Sequence, residues 1–197
     1  MVPLILPPWH PELGAAPPDG DLTWAYPWPA GERLAAYLAA GLGVEVDCRK
    51  LRVAELGCGR GRCGLTALAL GAAAVRFCDV AVEPLAYVGR ALLANGLEGG
   101  STCQHAWGTP VPDGPYDLVL GADILYRPTF QRALLQSVVQ SLAPAGRALL
   151  ADPRSVLEPE LKEIAVELGL HLRLERRPGP YTLVTATLVP ESRLRTR

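Results

Sequence analysis

Val53-Ala54-Glu55-Leu56-Gly57-Cys58-Gly59-Arg60-Gly61 is the stretch that decides how this chain is read. The apolar run Leu51 to Leu56 predicts a buried parallel strand, with one acid, Glu55, near its end. Gly57, Gly59 and Gly61 then follow at every second position. Lacking a Cβ, they let the backbone turn sharply and approach a ligand closely. A helix is expected at once, from Cys63 to Leu70, so its first amides point into the same turn. Strand, glycine turn and helix together make a nucleotide-type site at the carboxyl edge of a sheet.

Outward from this point the pattern alternates. A helix is expected over Ala30 to Ala40, stopped by Gly41 and Gly43. After strand one and its helix come strand two, Ala74 to Cys78 and ending at Asp79, and a helix from Pro84 to Ala94. Strand three is read at Thr102 to His105 and strand four at Leu118 to Ala122. A helix follows from Pro128 to Leu142, then strand five, Arg147 to Ala151, and a helix from Glu158 to Leu168. Two last strands, Leu170 to Arg176 and Tyr181 to Val189, have no helix between them, so they should pair antiparallel. The whole predicts an α/β fold: a Rossmann-like, seven-stranded, mostly parallel sheet with helices on both faces and a C-terminal antiparallel hairpin.

Residues 1–30 are rich in proline and aromatics, among them Trp9, Trp24, Tyr26 and Trp28, and read as an arm or lid over one domain spanning 31–190. Residues 191–197 read as a charged tail.

Composition narrows the function classes. The chain has 197 residues and a formal net charge of −1, which suits one globular domain and opposes a general electrostatic hold on nucleic acid. No apolar run is long enough to cross a membrane, and the N-terminus lacks the regions of a signal peptide. The 5 cysteines show neither zinc-site spacing nor a disulfide framework, so reduced thiols in the cytoplasm and no metal are expected.

The glycine turn leaves two ligand classes. Gly59-x-Gly61-x-x-Gly64 fits the dinucleotide fingerprint. Glu55-x-Gly57-x-Gly59-x-Gly61 resembles motif I of the seven-stranded methyltransferases, which bind S-adenosylmethionine. In that family the acid faces the cationic methionine end of the cofactor, whereas a pyrophosphate would be repelled by it. Asp79, at the end of strand two, suits the ribose hydroxyls of an adenosine in either class. After strand three the family usually carries an acid that bonds the adenine amino group. Here Ala106 stands in its place beside Trp107, which leaves packing of His105 or Trp107 against the ring.

Three further segments resemble the protein-lysine methyltransferases of this group, which include the electron-transfer-flavoprotein β-subunit enzymes. They are Trp28-Pro29-Ala30-Gly31, Asp123-Ile124-Leu125-Tyr126 after strand four, and Ala151-Asp152-Pro153-Arg154 after strand five. The resemblance implies methyl transfer from S-adenosylmethionine, leaving S-adenosylhomocysteine. Asp123 and Tyr126 are then catalytic candidates. Trp28, Glu55, Gly57, Gly59, Gly61, Asp79, Trp107 and Asp123 are the cofactor-binding candidates. A protein lysine is the expected acceptor and a small molecule the alternative, with neither nucleic acid nor membrane as partner. An NAD-dependent oxidoreductase and a non-catalytic scaffold are the readings from other classes.

Overall fold

The computed structural model describes residues 3–7, 23–40, 47–153, 158–179 and 181–190. Its elements follow in the order α1 (Pro29–Ala39), β1 (Arg52–Leu56), α2 (Arg62–Ala69), β2 (Ala74–Asp79), α3 (Val82–Asn95), β3 (Gly100–Gln104), β4 (Tyr116–Ala122), α4 (Pro128–Ser141), β5 (Leu142–Asp152), α5 (Glu158–Glu167), β6 (Leu170–Arg177) and β7 (Tyr181–Leu188). The strands form one sheet in the order β3-β2-β1-β4-β5-β7-β6. The first five run parallel, and β7 is antiparallel to both β5 and β6. This is the expected seven-stranded, Rossmann-like sheet with its antiparallel end.

Alternation along the strands explains the layers. On β1, Val53 joins an apolar cluster with Leu34 of α1, Leu65 of α2 and Tyr87 and Val88 of α3. Its neighbours Ala54 and Leu56 point the other way, to a cluster with Leu134 and Val138 of α4 and Leu161 of α5. A strand buried on both faces carries apolar residues on both, which is why Val53, Ala54 and Leu56 read as a nearly continuous run around Glu55. Glu55 alternates with Ala54 and so turns toward α2, into the layer of α1 to α3.

Several boundaries differ from expectation: β3 begins at Gly100 and β4 at Tyr116, each two residues early, and two larger shifts have a clear cause. The third helix begins at Val82, ahead of Pro84, because the first amides of a helix have no intrahelical partner and a proline among them removes nothing. Strand five begins at Leu142, ahead of Arg147. Leu142 pairs with Tyr116, and the register shifts between Tyr116 and Leu118 so that the strand passes Pro144. The expected stop at Gly41 and Gly43, the tail 191–197, most of the N-terminal arm and Arg154 lie outside the described residues.

The described part of the arm lies against the domain. Ile5 exchanges hydrogen bonds with Asn95 of α3: its amide donates to Asn95 Oδ1 at 2.6 Å and its carbonyl accepts from Asn95 Nδ2 at 2.7 Å. Tyr87 donates its hydroxyl to the Pro7 carbonyl at 2.8 Å, and Trp24 meets the Tyr87 ring edge-on at 5.9 Å.

Candidate functional site

At the carboxyl end of β1 the chain enters a left-handed turn, with φ of 58° at Gly57, 48° at Gly59 and 70° at Gly61. A side chain at these positions would be strained and crowded. A Cβ at Gly57 would lie 2.9 Å from Ile124, and one at Gly59 would lie 3.1 Å from the Trp24 carbonyl oxygen. Glycine here lets the turn fit between the arm, the β4 loop and α3. Gly64 serves a different purpose. A Cβ there would stand 2.7 Å from Glu55 Oε2, so glycine allows α2 to settle onto the acid.

Glu55 is 3% exposed. Its Oε1 accepts the Cys63 amide at 3.2 Å and its Oε2 accepts the Gly64 amide at 2.9 Å. It thus satisfies two of the orphan donors at the start of α2. Burial pushes its carboxyl up to about 7, against the lowering effect of the two amides. Asp79, at the end of β2, also braces the turn. Its Oδ2 accepts the Gly59 amide at 3.0 Å and its Oδ1 accepts the Ala81 amide at 3.2 Å. Asp79 thereby ties the glycine turn after β1 to the loop after β2.

These groups line one cavity of about 990 Å³ together with Trp28, Trp107, Asp123 and Tyr126. Of the candidate site residues named from the sequence, Trp28, Glu55, Gly57, Gly59, Asp79, Trp107, Asp123 and Tyr126 line this space and Gly61 does not. Past β3, the His105 ring nitrogen Nε2 lies 3.0 Å from the Thr109 carbonyl oxygen. A carbonyl only accepts, so Nε2 carries the proton and Nδ1, buried without a partner, is left as an acceptor. Trp107 meets Phe130 edge-on at 6.2 Å. Its ring closes the floor under Gly57, with Cζ2 3.5 Å from where a Cβ would stand.

On the other side of β1, Asp123 directly follows β4 in the left-handed region at φ 58°, which aspartate tolerates better than most residues. Its amide donates to the Ala151 carbonyl at 2.8 Å, and the residue is 8% exposed. Tyr126 and Trp28 are more open, at 44% and 40% exposure. The Arg127 guanidinium lies over the Tyr126 ring at 5.3 Å. Trp28 donates its indole N–H to the Thr23 carbonyl at 2.8 Å and meets Tyr26 edge-on at 4.8 Å. The result is an aromatic mouth around a buried carboxylate.

Sequence reasoning missed three features of this site. Leu125 is pinned from both sides by buried polar groups: its amide donates to Asp152 Oδ2 at 3.3 Å, and its carbonyl accepts from Gln131 Nε2 at 3.1 Å. Asp152 was visible as an acid closing an apolar strand, but nothing told which backbone group it would meet. Arg62 Nε donates to Glu32 Oε2 at 2.9 Å, joining α1 to α2 at the cavity wall. Leu6, Thr23 and Trp24 of the arm also reach the cavity. Among the described residues no cluster of three or more metal-ligating side chains occurs, and no helix is long and apolar enough to cross a membrane.

The fold is the seven-stranded, Rossmann-like one of the class I methyltransferases. The chain belongs to the lysine methyltransferase family, whose model matches residues 25–156. It is 35% identical over 116 residues to the protein N-lysine methyltransferase METTL21A of Danio rerio, a match covering 56% of this chain and 52% of that protein. It is 38% identical over 130 residues to the EEF1A lysine methyltransferase 3 of Mus musculus, covering 64% of this chain and 53% of that protein. The chain thus matches about half the length of these curated relatives. Among solved structures, the ribosomal protein L11 methylase of Lactobacillus delbrueckii subsp. bulgaricus superposes with a TM-score of 0.68 at 19% identity, covering 81% of this chain and 79% of that one. The DhpI–SAH complex superposes at 0.65 with 22% identity, covering 84% and 89%. At these identities the superpositions speak for the fold. The family match sets aside the oxidoreductase reading of the glycine turn.

Proposed function

We propose that this protein transfers a methyl group from S-adenosylmethionine to the side-chain nitrogen of a lysine in a protein substrate. The observation that carries the reading is the junction of two half-sites in one cavity: the Glu55–glycine turn–Asp79 cradle, and Asp123 with Tyr126 and Trp28 across β1 from it. The family and both curated relatives bear lysine methyltransferase names, which supports the acceptor.

The residues present fit the cofactor. The left-handed turn at Gly57, Gly59 and Gly61 is packed against the protein behind it, and Gly57 and Gly59 present its backbone to the cavity. Asp79 takes the ribose hydroxyls, and Trp107, over a site with no acid at Ala106, packs against the adenine. Glu55 and Asp123 supply the negative field that a cationic ligand needs. When bound, the cofactor supplies a methyl group activated by a sulfonium.

The chain's own part is to present a neutral amine in line with that group. A free lysine has a pKa of about 10.4 and is mostly charged at pH 7. Tyr126 and Trp28 wall the entrance with apolar surface, which disfavours the charged form. Asp123 accepts a hydrogen bond from the amine and orients its lone pair. Positioning of this kind supplies much of the rate in an in-line transfer. Asp123 is a positioner here rather than a strong base, because a bare carboxylate also stabilises the charged amine.

The described part of the arm, residues 3–7 and 23–30, acts as a lid that excludes water, in keeping with Leu6, Trp24 and Trp28 in the cavity wall. The protein works in the cytoplasm, in keeping with 5 free cysteines, and its partners are proteins rather than nucleic acid or membrane. The test is incubation of the protein with methyl-labelled S-adenosylmethionine and a source-cell lysate, followed by ultrafiltration. Label retained in a protein band is the expected result. Label only in the filtrate would move the acceptor to a small molecule.

A further inference from the structure

The cavity is acidic at its base, with Glu55, Asp79 and Asp123 in its lining, and this matches the cationic part of the proposed cofactor. The same ligand also carries a carboxylate on its amino-acid end. That group would be repelled by these acids and requires a cation. Three arginines line the cavity: Arg60, Arg62 and Arg127. Two are engaged with aromatic groups. Arg60 bonds the Tyr87 hydroxyl through Nε at 3.2 Å and Nη2 at 3.1 Å. Arg127 lies over Tyr126 and Phe130, at 5.3 and 5.9 Å.

Arg62 differs in both burial and bonding. Its side chain is 12% exposed. Among the described residues its guanidinium makes one hydrogen bond, from Nε to Glu32 Oε2 at 2.9 Å. A guanidinium has five donors, and a mostly buried one is expected to use them. The Nε bond fixes the plane of the group and leaves its terminal amines for another partner. A planar fork held in this way is matched to a carboxylate.

The location agrees. Asp79 and the His105–Trp107 segment mark the adenosine end, over β2 and β3. Arg62 opens α2 directly after β1, and Glu32 lies on α1, which packs against β4 and β5. The pair therefore sits toward the Asp123 end of the cavity, where the amino-acid end of the ligand must lie if adenosine occupies the other.

We propose that Arg62, oriented by Glu32, binds the carboxylate of the amino-acid end of the cofactor. This inference rests on the proposed S-adenosylmethionine site. It assigns a ligand-binding role to an ion pair that would otherwise be read as a strut between α1 and α2.

The experiment compares two probes on the same protein by calorimetry. S-adenosylhomocysteine carries the carboxylate; 5′-methylthioadenosine shares the adenosine and thioether but lacks the amino-acid end. Arg62→Gln is expected to weaken S-adenosylhomocysteine at least 10-fold and to change 5′-methylthioadenosine less than twofold. Arg62→Lys keeps the charge without the fork and should fall between. Glu32→Gln should weaken S-adenosylhomocysteine alone, by a smaller factor. The ratio of the two affinities is read within each variant, so a general loss of stability cancels. Equal loss for both probes, or no loss for either, would overturn the role of Arg62 while leaving the cofactor site standing. Wild-type protein that binds neither probe would overturn the cofactor site and this inference together.

Discussion

The Glu55 carboxylate and the Gly64 amide meet at 2.9 Å, and this contact joins the last strand turn of β1 to the first helical turn of α2. The acid read from the sequence as facing a cation is thus also the cap that holds the glycine turn in shape. Both roles depend on the same buried group, and its ionisation couples them.

Folding raises the Glu55 carboxyl from 4.5 to about 7. The folded state therefore binds more protons than the unfolded state between these values, and stability falls as pH rises from about 4.5 to about 7. Below 4.5 the contribution is constant, and above 7 the full penalty, on the order of 3 kcal/mol, is in place. Urea titrations of the free protein across this range should show the decline, and Glu55→Gln should flatten it. A stability that instead rises steadily through the window, and is insensitive to Glu55→Gln, would contradict the assignment. Binding a cationic ligand favours the ionised form, so affinity for S-adenosylmethionine should rise with pH through about 7 and binding should release a proton.

Asp123→Ala should lower the rate of methyl transfer roughly 100-fold, on the scale of a lost positioned polar group. Affinity for S-adenosylhomocysteine should change much less. Asp123→Asn keeps a residue that tolerates φ 58° and separates the charge from the backbone shape. Equal losses in rate and affinity would make Asp123 a cofactor or structural residue.

Asp152→Ala removes the acceptor of the Leu125 amide at a site where Asp152 is 1% exposed. A buried donor left without a partner costs about 1 to 3 kcal/mol. The melting temperature should fall several degrees, at roughly 2 to 4 °C per kcal/mol for a chain of this size. Transfer should weaken as well, because Leu125 lies between Asp123 and Tyr126. Thermal melts beside initial rates check both. An unchanged melt would show that water takes over the amide.

Trp28→Ala should lower kcat/KM about 10-fold while moving the melting temperature little. Trp28 is 40% exposed, and its side-chain hydrogen bond runs to Thr23 within its own arm. A large thermal loss would instead make the arm part of the core.

Much of this was legible because polar residues interrupt apolar runs. Glu55 stands out within β1, a strand buried on both faces, and Asp123 stands out directly after the apolar β4. Glycine spacing carried the turn, since a left-handed φ repeats at Gly57, Gly59 and Gly61. The Glu32–Arg62 pair was not legible. Its members lie 30 positions apart on separate helices, and each alone reads as a solvated surface charge. The two bonds to Leu125 were hidden for a related reason: they end on backbone groups, which have no sequence signature. The start of β5 at Leu142 also escaped, because Pro144 and Gly146 signal a break and only the pairing of Leu142 with Tyr116 overrides them.

The most direct test of the central claim is the chemical identity of the methylated product. A labelled protein from the lysate reaction would be hydrolysed to amino acids and its label identified by chromatography, for wild type and for Asp123→Ala in parallel. Label in methyl-lysine with wild type, and nearly none with Asp123→Ala, is the result expected from a cavity that joins the Glu55 cradle to Asp123. Label in another amino acid, or methyl-lysine undiminished by Asp123→Ala, would contradict it.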